Sequence, residues 1–101
     1  MSGSPVFLAD AEFSSVQAFH IDLKAPLLVL KAPGGVLACG YLSLATMNRL
    51  GEVGALVTGV RSYDDMMNAQ VVAVSDEAAK LGVSIDLTGR QALRLFCGVT
   101  G

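Results

Sequence analysis

The sequence predicts a two-layer α+β domain, a mixed sheet of about five strands with short helices packed mainly on one face. Three observations carry this expectation. Continuous apolar runs such as Leu27-Leu28-Val29-Leu30 and Ala55-Leu56-Val57-Thr58-Gly59-Val60 read as strands. Between them lie short segments with apolar residues at helical spacing, each opened by a serine or threonine. The length, 101 residues, suits one hydrophobic core and is too short for two, and no repeat or linker interrupts it, so residues 1–101 read as one domain.

The elements follow in order. From Ser15 to Leu23 the residues Val16, Ala18, Phe19, Ile21 and Leu23 approximate alternation, which suits a strand with one half-buried face. Pro26 restarts the chain. Leu27–Leu30 and Val36–Tyr41 flank the turn signal Ala32-Pro33-Gly34-Gly35, so they pair as a hairpin and three antiparallel strands open the domain. Ser43 caps a helix to Leu50, with Leu44, Met47 and Leu50 on one side and Gly51 as its stop. About a dozen residues separate Tyr41 from the fourth strand, Ala55–Val60; that is room for a helical crossover, so strands three and four run parallel. Ser62 caps a brief helix with Tyr63, Met66 and Met67 on one side and Asp64 and Asp65 in the first turn, where the helix dipole favours carboxylates. Gln70–Val74 is a fifth strand, and Ser75 caps a helix that Gly82 closes. Thr88 and Gln91 form a capping box for the last helix, whose apolar stripe is Ala92, Leu93, Phe96 and Cys97, with Arg90 and Arg94 on the solvated side.

Apolar residues make up 52% of the chain and charged residues 16%, which excludes intrinsic disorder. So little charge leaves apolar patches on a small domain, and a homo-oligomer is expected. A net charge of -2 and seven scattered Lys and Arg residues exclude a nucleic-acid footprint. The uncharged stretch from Ala32 to Met47 is shorter than the roughly 20 residues of a membrane span and is broken by Pro33-Gly34-Gly35, so no membrane span is expected. Met1 to Pro5 is a short polar start, expected to be disordered; with Asp10 and Glu12 behind it, it does not read as a signal peptide, and the cytoplasm is the expected compartment. Cys39 and Cys97 lie 58 positions apart, which rules out CxxC chemistry, and the lone His20 adds no metal spacing. No GxGxxG or P-loop motif occurs, so no cofactor is implied.

The segments Pro26-Leu27-Leu28-Val29-Leu30-Lys31, Ala38-Cys39-Gly40-Tyr41, Val57-Thr58-Gly59-Val60, Asp64-Asp65-Met66-Met67-Asn68-Ala69 and Leu87-Thr88-Gly89-Arg90-Gln91-Ala92-Leu93 follow one another in an order that resembles the YunC-like family, small prokaryotic domains of unknown function. The resemblance spans Ala25 to Phe96, and its specificity lies in the combination. Asp86 stands where the family pattern tends to carry a glycine, so a different turn is expected before the last helix. The resemblance implies an α+β domain and no assigned activity.

Cys39 ends a strand beside Gly40 and just ahead of a helix N-terminus, a setting that lowers a thiol pKa; it is the candidate nucleophile of a small thiol-dependent enzyme and is expected to alkylate faster than Cys97. Within Leu37-Ala38-Cys39 it also reads as a small buried hydrophobe. A nucleophilic thiol needs a base, and the sole imidazole, His20, is expected to meet the sheet from the opposite end. Asp64 and Asp65 are adjacent on a helix, point apart, and read as capping residues rather than an acid–base pair. Parallel strands end at one edge of a sheet, so Cys39-Gly40-Tyr41 and Thr58-Gly59-Val60 are expected side by side, with the helix starts at Ser43 and Ser62 converging behind them. Gly40, Tyr41, Thr58, Gly59, Arg61 and Ser62 are therefore the candidate ligand-binding residues, and the expected ligand is small and anionic. The competing reading is that both glycines serve tight turns and that Asp64 and Asp65 already satisfy the second helix start. Two functions follow: a homo-oligomeric domain that is non-catalytic or binds such a ligand, or a thiol enzyme built on Cys39.

Overall fold

The computed structural model describes residues 6–8 and 11–98; the start at residues 1–5, expected to be disordered, lies outside the described residues. Among the described residues six strands stand side by side in sequence order: β1 (Val6–Phe7), β2 (Gln17–Ile21), β3 (Leu27–Ala32), β4 (Gly35–Ala38), β5 (Gly54–Leu56) and β6 (Ala73–Val74). All neighbours are antiparallel except β4 and β5, which are parallel in the register Val36↔Gly54, Leu37↔Ala55 and Ala38↔Leu56. The sheet is mixed, and the fold is the α+β class expected.

The helices begin and end where the capping residues stand. In α1 (Leu44–Leu50) the Ser43 hydroxyl accepts from the Thr46 N–H, and Gly51 closes the helix at φ 74. In α2 (Tyr63–Asn68) and α3 (Asp76–Lys80) Ser62 and Ser75 play the same part. The capping box of Thr88 and Gln91 opens α4 (Gly89–Phe96). Each such cap satisfies a backbone donor that the first turn leaves unpaired, worth about 1 kcal/mol.

Strand alternation divides the side chains between two faces. Ala18, Leu28, Leu30, Leu37, Cys39 and Ala55 lie on the main core side, against Met66 of α2, Ala78 of α3, and Leu93 and Phe96 of α4. On the other face Ala38 and Leu56 pack against Met47 of α1. Three helices thus serve one face and α1 the other, so the layer is mainly, not wholly, one-sided. Over β2 that second face is uncovered: Phe19 and Ile21 are 37% and 43% exposed. Among the described residues no helix is long and apolar enough to cross a membrane.

Three details differ from the sequence reading. β1 pairs with β2 and was not expected. The strands following Val36 and Ala55 stop at Ala38 and Leu56, because the Leu42 N–H turns back to the Cys39 carbonyl and Gly59 takes φ 71. Gln70 and Val71 leave the sheet: the Val71 N–H bonds to the Leu87 carbonyl and Gln70 bridges Thr88, so only Ala73–Val74 pairs with β5. Asp86 adopts no left-handed conformation, since every described positive φ belongs to a glycine, and its N–H bonds to the Ser84 hydroxyl.

Candidate functional site

The parallel pair places the carboxyl ends of β4 and β5 at one sheet edge, and a cleft of about 330 Å³ opens there. Cys39, Gly40 and Tyr41, which follow β4, line one side. Thr58, Gly59, Val60 and Arg61, beyond β5, line the other. The two segments touch: a Cβ placed on Gly40 would sit 3.3 Å from Thr58 Cγ2. Of the residues predicted to bind a ligand, only Ser62 is absent from the lining; its hydroxyl accepts from the Asp65 N–H and caps α2.

The sequence reading missed Ala25 and Pro26, which complete the wall. The hairpin contained the signal. An antiparallel neighbour begins where its partner ends, so the start of β3 stands beside the end of β4. The Tyr41 hydroxyl, donating to the Ala25 carbonyl over 3.1 Å, ties the two segments together.

The helix starts at Ser43 and Ser62 do not line the cleft, and the two helices pack on opposite faces of the sheet. From β4 the chain passes to the α1 face, because Met47 packs on Ala38 and Leu56; from β5 it passes to the α2 face, because Met66 and Met67 belong to the main core. The cleft lies where successive connections leave parallel strands for opposite sides of the sheet. Asp65 serves the turn before α2, its carboxylate accepting from the Arg61 backbone N–H at 3.0 Å.

Cys39 is buried, 4% exposed, and its sulfur accepts from the Leu28 N–H at 3.3 Å. His20 does not meet the sheet from the far end. It stands opposite Leu28, which is itself beside Cys39, so histidine and thiol share one row and one face, two strand spacings or roughly 10 Å apart, with Leu28 between them. The imidazole is half-exposed, 3.0 Å from Asp22 and edge-on to the Tyr63 ring; burial raises the Tyr63 pKa. No hydrogen bond joins Cys39 to a side-chain base among the described residues.

Both thiols are free, Cys39 buried and Cys97 only partly so, which argues for the opposite order of alkylation from the one expected. Cys97 is half-buried; desolvation raises its pKa, partly offset by a hydrogen bond with Ser15. Iodoacetamide should label Cys97 before Cys39. Because a raised pKa leaves less thiolate at a given pH, the Cys97 rate should keep climbing above the ordinary thiol range. Mass spectrometry of alkylation against pH checks both points, and faster labelling of Cys39 would contradict the buried placement.

Residues 38–96 match the family model described as a domain of unknown function (DUF1805). The chain belongs to this family. The DUF1805 match begins at Ala38, so it takes in both segments that line the cleft from β4 and β5 but not Ala25 and Pro26. The chain is 33% identical over 95 residues to the uncharacterized protein YunC of Bacillus subtilis (strain 168), covering 89% of this chain and 91% of that one. It is also similar to the crystal structure of a protein of unknown function, TA1206, from Thermoplasma acidophilum, with a TM-score of 0.75 and 36% identity over 87% of this chain and 84% of that one. TA1206 shares the fold, and neither relative is described with an assigned activity.

Proposed function

We propose that the domain is a cytoplasmic, self-associating module that binds a small anionic ligand in the cleft at the ends of β4 and β5. One observation carries the reading: the chain leaves these two parallel strands toward opposite faces of the sheet, and the cleft lies between the departures. In open sheets that crevice at the carboxyl ends is where ligands commonly bind. Its volume, about 330 Å³, falls at the small end of ligand pockets. Gly40 and Gly59 keep side chains out of the opening, and Arg61 supplies a positive charge. The alternative of a thiol enzyme at Cys39 has less behind it, since the sulfur is buried and Leu28 separates it from His20.

Titration of phosphate, sulfate and acetate into the isotope-labelled protein tests the site. The amides of Gly40, Thr58 and Gly59 should move together and saturate. Shifts confined to other regions would exclude the cleft. Light scattering on the same samples tests self-association through the uncovered Phe19 and Ile21 face, and a molar mass at the 10.4 kDa monomer would remove that part of the proposal.

A further inference from the structure

We propose that the cleft selects monocarboxylates carrying a short apolar tail, with the carboxylate on Arg61 and Thr58 and the tail against Pro26 and Val60. This rests on the reading of the cleft as a ligand site and assigns the class of ligand. Four observations lead to it. Among the described residues Arg61 is the cation of the lining, no Asp or Glu lines the cleft, and the guanidinium has no carboxylate within ion-pair distance. A planar guanidinium matches a carboxylate bidentately and balances one negative charge. Thr58, exposed, adds a hydroxyl to the same wall.

The third observation limits the charge the ligand brings. The N–H of Arg61 and the N–H of Asp65 are already taken, by the Asp65 carboxylate at 3.0 Å and the Ser62 hydroxyl at 3.1 Å. A phosphate dianion would bring a second charge for which the described lining holds no second cation, while the Asp65 carboxylate stands on the Arg61 N–H close by. Fourth, the rest of the lining is mainly apolar, the Tyr41 hydroxyl being already bonded to the Ala25 carbonyl: Ala25, Pro26 and the buried Val60 give a tail a surface to cover. The cleft is small, so the tail is that of a short acid such as hexanoate, not a long-chain one.

The test uses the full chain and three probes: hexanoate, its neutral counterpart hexanamide, and inorganic phosphate. Amide shifts of Gly40, Thr58 and Gly59 are followed for the native protein, R61Q and R61K. Hexanoate should saturate with a dissociation constant on the order of 1 mM, as suits so few atoms. Hexanamide should bind at least about tenfold more weakly, the difference expected for a charge-assisted hydrogen bond. R61Q should bring hexanoate down to the hexanamide level, and R61K should recover part of the loss. Arg61 is exposed, so the variants should keep the native spectrum elsewhere. Equal binding of hexanoate and hexanamide, tighter binding of phosphate, or an unchanged hexanoate affinity in R61Q would overturn the carboxylate assignment while leaving the cleft a ligand site. Silence of these three amides toward all three probes would overturn both.

Discussion

Replacing Phe96 with alanine is expected to destabilise the domain by about 3–5 kcal/mol, the range for deleting a buried aromatic side chain. Phe96 is 1% exposed and is among the largest fully buried side chains. It closes α4 onto the β3–β4 hairpin in two ways. Its ring occupies the space a side chain on Gly35 would need, with a Cβ there only 2.4 Å from Cδ1. Its carbonyl accepts from the Gly34 N–H at 2.7 Å. Removing the ring leaves the hydrogen bond but empties the contact. Because a small domain has only about 5–15 kcal/mol of total stability, the variant should lose much of its urea resistance. A midpoint shift worth under about 1 kcal/mol would show that the site collapses around the loss. G35A should also destabilise in the native background, yet cost less in F96A, where the methyl enters space the ring has left; a double-mutant cycle reads that coupling.

The hairpin shows how far the sequence could be read. Pro33-Gly34-Gly35 marks a turn by composition, and the loop is Pro33-Gly34, with Ala32 paired to Gly35. That Gly35 is small because Phe96 lies on it could not be read, since the two are far apart in the chain and only the folded helix brings them together. The same division holds elsewhere. Caps at Ser43, Ser62, Ser75 and Thr88 depend on local chemistry and were legible. The loss of Gln70 and Val71 from the sheet depends on bonds to Leu87 and Thr88, whose proximity is tertiary.

The candidate site divides in a similar way. The parallel relation of β4 and β5 followed from the length of the crossover, and it put Gly40 beside Thr58. The direction in which each helix leaves was not legible: Leu44 and Met47 recur like any core stripe, and nothing in their spacing says that their core is a second, smaller cluster on the opposite face. The placement of His20 failed for another reason. Its position on β2 depends on register, and only the pairing Ile21↔Leu27 puts it in the row of Leu28 and Cys39.

Gly89→Ala is the second large effect expected, and its sign sets local against tertiary physics. Gly89 opens α4, and alanine there should favour a helix by up to about 1 kcal/mol on propensity alone. The structure argues for the opposite sign. A Cβ on Gly89 would stand 1.9 Å from the Met66 carbonyl oxygen and 3.0 Å from Leu37 Cδ2. The first obstacle is backbone of α2, which cannot rotate aside, and the Gly89 N–H is at the same time bonded to the Ala69 carbonyl at 2.8 Å. Relieving the overlap means separating α4 from α2, at a cost of about 1–3 kcal/mol for overpacking and about 1 kcal/mol more for the strained hydrogen bond. Set against the propensity gain, the net expectation is a loss of roughly 1–4 kcal/mol, seen as a lower denaturation midpoint with an unchanged slope. Gly54→Ala is the control. There the closest atom is the terminal methyl of Met47, at 1.9 Å, on a flexible side chain that can swing away, so the loss should be clearly smaller. If Gly89→Ala were neutral or stabilising, α4 would not be seated against α2 as closely as the structure places it.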